Sequence, residues 1–204
     1  MKHLFILFAL LLSSLFTNFS NAATNTTTSP YSVIAETGQR LFSRIANDQE
    51  ALKKFPELMR DIVEEELMPS IDYKYAAFKI LGKNLNKMSK IQREKFVVSM
   101  RSYLVKTYAT ALKQYKKQQV SFEPNRPTKG ARIVGVDTII SDDNAPDITI
   151  TFQMRQNKKS KEWKAYDMII EGISLINSKQ AEIAKRIKKN GIEQVTLELA
   201  SFSN

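Results

Sequence analysis

Carboxylates are the side chains of this sequence best equipped for chemistry. Asp167 and Glu171 lie inside an otherwise apolar stretch from Ala165 to Ile173 that reads as a strand. Four residues apart on a strand, both would project to the same side. If that side is buried, each needs a partner, because an unpaired buried carboxylate is costly. If it is exposed, they face solvent or pair with Lys or Arg across the sheet. As a pocket pair they would suit an enzyme of cone-shaped fold in which an Asp abstracts a proton. The densest acidic run, Glu64-Glu65-Glu66, cannot converge on one metal, since adjacent helical positions point in different directions. It reads as a solvated helix face.

The missing residue types narrow the choice further. The only histidine is His3, close to the N-terminus, and there is no cysteine. Cys nucleophiles, Ser-His pairs, His general bases and the common zinc and iron sites are therefore unexpected. Carboxylates, Lys and Tyr remain, so enzymes become less favoured as a class. No metal and no cofactor are expected, and no disulfide contributes to stability.

The N-terminus reads as an export signal over residues 1–22. Lys2 gives a positive start, Leu4 to Phe16 is an apolar run broken only by Ser13 and Ser14, and Ser20 and Ala22 suit a small-residue cleavage site. The run falls short of the roughly 20 apolar residues of a spanning helix. Residues 23–29 read as a flexible, Thr- and Asn-rich lead-in, and residues 30–201 as a single domain. The chain carries 31 Lys and Arg against 21 Asp and Glu, a net charge of +10, or +9 once Lys2 leaves with the signal. Such a charge suits an anionic partner, and export argues against nucleic acid.

Hydrophobic periodicity supplies the framework. Ile34, Leu41, Phe42 and Ile45 mark a helix over 31–47. Pro56 suits the start of a second helix that Pro69 stops, and a third is expected from Ser70 to Leu81 with Gly82 as its cap. Ser89 and Gln92 form a capping box for a long helix reaching Tyr115, with Val97, Met100, Leu104 and Tyr108 inward. The period then changes. A strand is expected near Val120 and Phe122, and others over 131–140, around Ile148, Ile150 and Phe152, and over 162–173. A Lys-rich helix capped by Asn177 or Ser178 ends at Gly191, and Ile192, Val195 and Leu199 mark a short last one. This order predicts an α+β fold, with helices packed on one face of a curved, mostly antiparallel four-stranded sheet. A long amphipathic helix over an apolar sheet face is a common way to enclose an apolar cavity. A filled core serving only as an interaction module is the remaining alternative.

The run Ile71-Asp72-Tyr73-Lys74-Tyr75-Ala76 is followed by Ile80-Leu81-Gly82, by Gln92-Arg93-Glu94 and by Tyr103-Leu104 to Tyr108. Trp163-Lys164-Ala165-Tyr166-Asp167-Met168 then leads into Glu171-Gly172-Ile173-Ser174. In this order and spacing the chain resembles the MlaC family, also called the toluene-tolerance auxiliary family, of periplasmic phospholipid-binding proteins. The resemblance spans about Pro30 to Leu199. It implies a fold related to nuclear transport factor 2, a soluble monomeric carrier rather than an enzyme, and a cavity that takes both acyl chains of a phospholipid. It further implies exchange with an inner-membrane ABC transporter complex and an outer-membrane lipoprotein complex. By position Tyr108 and Ile173 would line the cavity. The full lipid-contacting set expected is Tyr75, Phe78, Leu104, Tyr108, Ile148, Ile150, Phe152, Ile170 and Ile173.

Overall fold

A computed structural model describes residues 28–116 and 118–203. The expected export signal and most of the lead-in fall outside the described residues. Helix α1, Pro30–Asn47, begins where Ser29 and Ser32 form a capping box around Pro30. It buries Ile34, Leu41 and Ile45 on one face. A short α2, Gln49–Lys54, and α3, Leu58–Ile62, follow.

The single helix expected between Pro56 and Pro69 is not continuous. Pro56 lies in a turn, and after α3 the chain widens into one π turn, Val63–Leu67, in which the Met68 N–H donates to the Val63 carbonyl. A 3-10 turn, Met68–Ser70, completes it. Pro69 has no N–H to continue an α-helical ladder, so the last turns adopt other spacings. The widened turn buries Ile62 and Val63 while Glu64, Glu65 and Glu66 stay outside. Each of these carboxylates meets an arginine: Glu64 forks onto Arg101, Glu65 takes Arg44 at 3.1 Å, and Glu66 takes Arg40 at 3.5 Å.

Helix α4, Tyr73–Leu81, starts three residues later than its sequence suggests. Ser70 is occupied by a 2.7 Å hydrogen bond to Thr37, and Ile71 bridges in parallel to Ala165. The cap is Asp72, whose Oδ1 accepts from the Tyr75 N–H at 3.1 Å and whose Oδ2 pairs with Arg155. Helix α5, Lys90–Leu112, opens on the expected Ser89–Gln92 capping box. It ends before Tyr115, which turns to lay its ring 4.7 Å from that of Phe42.

The sheet has five strands, not four. They are β1, Gln119–Phe122; β2, Ile133–Asp142; β3, Ala145–Gln156; β4, Trp163–Ile170; and β5, Ile173–Ser174. Each pairs antiparallel with the next in chain order. The extra strand arises because the expected last strand breaks after Ile170. Glu171 (φ 48) and Gly172 (φ 80) form a tight reversal, and Ile173 folds back opposite Ile170. Two central residues at positive φ match the twist of a short hairpin. Helix α6, Leu175–Ser203, is bent at Gly191 (φ 79). Its first turn is capped by Ser174, which accepts from the Asn177 N–H at 3.0 Å, three residues earlier than expected.

The buried residues form two clusters. One joins α1, the π turn and the sheet through Ile45, Ile62, Val63, Val136 and Met154. The other joins α4, α5 and α6 through Ala77, Leu81, Phe96, Met100, Ile183 and Val195. Asp72 ties the helical layer to β3, so its replacement is diagnostic. Asp72→Ala removes a helix cap and leaves Arg155 unpaired; a loss of about 2 kcal/mol is expected in urea denaturation followed by circular dichroism. Asp72→Asn keeps the cap acceptor and is expected to lose about half as much.

Candidate functional site

Alternation along β3 sends Ile148, Ile150 and Phe152 to one face of the sheet. Cross-strand pairing extends this into apolar rungs. Ile140 lies opposite Ile148, Thr138 opposite Ile150, Ile170 beyond Ile150, and Met168 beyond Phe152. Over this face run α1 and the last turns of α5, and between the layers lies a pocket of about 430 Å³. Ile34, Leu41 and Phe42 of α1 and Tyr108, Leu112 and Tyr115 on or just after α5 supply its other wall. Gly38 permits the close approach of α1 to β1, since a Cβ there would stand 2.3 Å from the Phe122 ring.

A second pocket of about 360 Å³ lies between α4, α5, β4 and the start of α6, with Ala76, Ile80, Met100, Leu104, Leu175 and Ile176 among its walls. Ile71, Tyr108, Ala165 and Met168 line both pockets. They form the partition between two adjoining apolar spaces. Burial pushes the Tyr108 phenol up to about 12, with the Asp167 and Tyr103 charges adding to it. Its ring is half-buried in accessible area because it fronts two pockets, while its surroundings are apolar.

The second pocket has a polar margin. Lys179 donates to the Tyr103 hydroxyl at 2.8 Å and to Glu182 at 2.6 Å. Burial works to lower the Lys179 pKa, but these bonds outweigh it and leave the ammonium above the ordinary lysine value. Arg186 bridges Glu182 and Glu198. Two cations of the Lys-rich helix thus have carboxylate partners rather than forming an unpaired basic face.

The sequence-derived positions divide clearly. Ile148, Ile150, Phe152, Ile170 and Tyr108 line the first pocket, and Leu104 with Tyr108 lines the second. Tyr75 lines neither: its ring lies under the Arg155 guanidinium at 4.2 Å and edge-on to Tyr166 at 5.2 Å. Phe78 lies in a separate groove beside Lys74, Val97 and Val98. The inward face of α4 is Ala76, Ala77 and Ile80, which leaves Tyr75 and Phe78 to other sides of the helix. Ile173 is 61% exposed on the sheet edge, a consequence of the Glu171–Gly172 reversal. That reversal also separates the two candidate carboxylates. Asp167 accepts from Ser174 Oγ at 2.6 Å and from the Ile176 N–H at 3.0 Å, anchoring α6. Glu171 sits in the turn and accepts from the Thr149 N–H at 2.8 Å. They do not share a strand face. Ile34, Leu41, Phe42 and Met168 are pocket residues that sequence reading assigned to core or passed over, although the α1 stripe marked the first three as inward. Among the described residues no group of three or more acidic side chains could hold a metal ion, and no helix is long and apolar enough to cross a membrane.

Residues 35–201 match the family model described as MlaC protein. The intermembrane phospholipid transport system binding protein MlaC of Haemophilus influenzae is 31% identical over 167 residues, 81% of this chain and 78% of that one. A toluene tolerance protein of Pseudomonas putida is 22% identical over 163 residues, 79% of this chain and 74% of that one. A phospholipid-binding protein from Ralstonia solanacearum, solved in complex with a phospholipid, shares the fold with a TM-score of 0.75 at 19% identity. The match covers 86% of this chain and 97% of that one.

The partition can be followed by titration. A phenol whose pKa is raised on folding favours the protonated state. The stability it contributes is complete below pH about 10 and is lost as pH rises through about 12. The ultraviolet absorbance change of the tyrosines is expected to continue to about pH 12, and Tyr108→Phe to remove its last step.

Proposed function

The chain belongs to the MlaC protein family, and on that premise we propose that it is a phospholipid carrier holding both acyl chains between its helices and its sheet. The observation that carries this reading is the pair of adjoining apolar pockets divided by Ile71, Tyr108, Ala165 and Met168. Two chains of a diacyl lipid would occupy one space each, against Ile148, Ile150, Phe152 and Ile170 on one side and Leu104 on the other, with Tyr108 between them.

Elementary energetics favours deep pockets over a surface groove. Two tails of about 30 methylenes together, at about 0.8 kcal/mol each, represent on the order of 24 kcal/mol of exposure to water. Only enclosure of nearly the whole hydrocarbon makes aqueous transit feasible. The export signal expected at the N-terminus and the family membership support a periplasmic site of action for a monomer. There it would exchange lipid with an inner-membrane ABC transporter complex and an outer-membrane lipoprotein complex, without a cofactor. The helix-over-sheet layout supports the relation to nuclear transport factor 2. An enzyme built on Asp167 and Glu171 is disfavoured because Asp167 is spent on capping α6 and Glu171 on the β5 turn.

Native mass spectrometry of protein purified without detergent is expected to show a phospholipid mass. Protein that emerges empty and takes up no lipid from vesicles would defeat the reading. Ile150→Trp, which fills the first pocket, is expected to reduce loading at least about tenfold, and Ile150→Glu to do the same by burying a charge among apolar walls. Circular dichroism of both variants checks that the fold persists.

A further inference from the structure

Among the described residues, three buried side-chain polar atoms reach no hydrogen-bond partner in the protein: Arg93 Nε, Thr107 Oγ1 and Thr138 Oγ1. Native proteins leave few such groups, because each keeps its desolvation penalty without compensation. The two threonines line the two pockets, one each. Thr138 is the more telling, being 4% exposed and set in an otherwise apolar wall. Thr37 and Ser70, which line the same pocket, satisfy each other at 2.7 Å.

The depth of Thr138 indicates what it meets. Along the pocket face the rungs run Ile140–Ile148, Thr138–Ile150, then Val136–Phe152. Exposure falls from 43% at Ile148 to 4% at Thr138 and 0% at Val136. The pocket therefore opens at the Ile148 end, and the hydroxyl lies one rung inside, about 7 Å from the outermost pair. An acyl chain sunk methyl end first offers no acceptor along its hydrocarbon. Its ester carbonyl is the first polar atom behind the tail and comes to rest just within the opening.

We propose that Thr138 Oγ1 donates a hydrogen bond to the ester carbonyl of the acyl chain in this pocket and so sets the depth at which the phospholipid stops. This deepens the phospholipid reading above and depends on it. Thr107 Oγ1 is likewise a buried, unpartnered hydroxyl on a residue lining the second pocket, and the scheme assigns it the ester of the second chain. Thr138 is a specificity-determining residue in this scheme. It separates ester-linked lipids from ether-linked ones, which have the same shape but lack the carbonyl.

The test is a competition between ester-linked and ether-linked phosphatidylethanolamine of equal chain length, supplied in mixed vesicles and read by native mass spectrometry. The wild-type chain is expected to load the ester form about threefold to tenfold better, the effect of one buried hydrogen bond. Thr138→Val is expected to bring that ratio toward one, Thr138→Ser to keep it, and Thr138→Ala to repeat the valine result should the valine variant not fold. Adding Thr107→Val is expected to lower the ratio further; a combined variant no lower than Thr138→Val removes Thr107 from the scheme. An unchanged ratio in Thr138→Val overturns the inference, as does equal weakening of both lipids, the result if the hydroxyl only holds a water. Failure of the wild-type chain to load either lipid would instead defeat the phospholipid reading itself.

Discussion

One backbone contact fixes the spacing on which both pockets depend. The Asp72 N–H donates to the Ala165 carbonyl at 2.7 Å, and Ile71 bridges in parallel to the same residue. An apolar sheet face ordinarily draws its covering helices into direct contact. Here the turn before α4 is pinned to β4, and the Asp72–Arg155 pair adds a second tie from the same turn to β3. The helices are thereby held at a distance that side chains alone do not fill. Because Ile71 and Ala165 also lie in the partition, the contact that spaces the layers also divides the space between them.

Charge reinforces this spacing at the periphery. The Glu64–Arg101 fork joins the π turn to α5, and Arg44 and Arg40 join it to α1. Pairs this exposed contribute little each, but a bidentate fork fixes geometry as well as energy. The π turn, α1 and α5 are consequently braced by polar contacts outside and apolar contacts inside. A frame of this kind can keep its shape when the interior is not close-packed, a condition most cores meet only at a large cost.

Much of the framework was legible in residue types. The α1 stripe, the Ser89–Gln92 box, the alternation of Ile148, Ile150 and Phe152 and the Gly191 break all follow from local periodicity or capping, and the structure places them as expected. What escaped depended on long-range contacts. Asp167 looks like an isolated strand carboxylate until Ser174 and the Ile176 N–H are brought to it by the β5 reversal. That reversal was hard to foresee because Glu171 is a poor residue for positive φ and only Gly172 hints at it. The start of α4 at Tyr73 goes with the hydrogen bond between Thr37 and Ser70, 33 positions apart, and the small inward residues Ala76 and Ala77 gave no sign that Tyr75 and Phe78 face elsewhere. The π turn has no local signature beyond Pro69.

The β5 hairpin has a consequence for the behaviour of the protein at high concentration. An open antiparallel sheet with an apolar face has two edges, and a long bare edge is a template for joining a second chain and starting an aggregate. At one side β5 is only two residues long and turns directly into α6, so β4 has no extended free edge near its end. At the other side β1 is four residues long and is followed at once by Glu123 and Pro124, the latter unable to donate to a neighbouring strand. The outermost strand at each border is thus short and interrupted, which weakens it as a template for a copy.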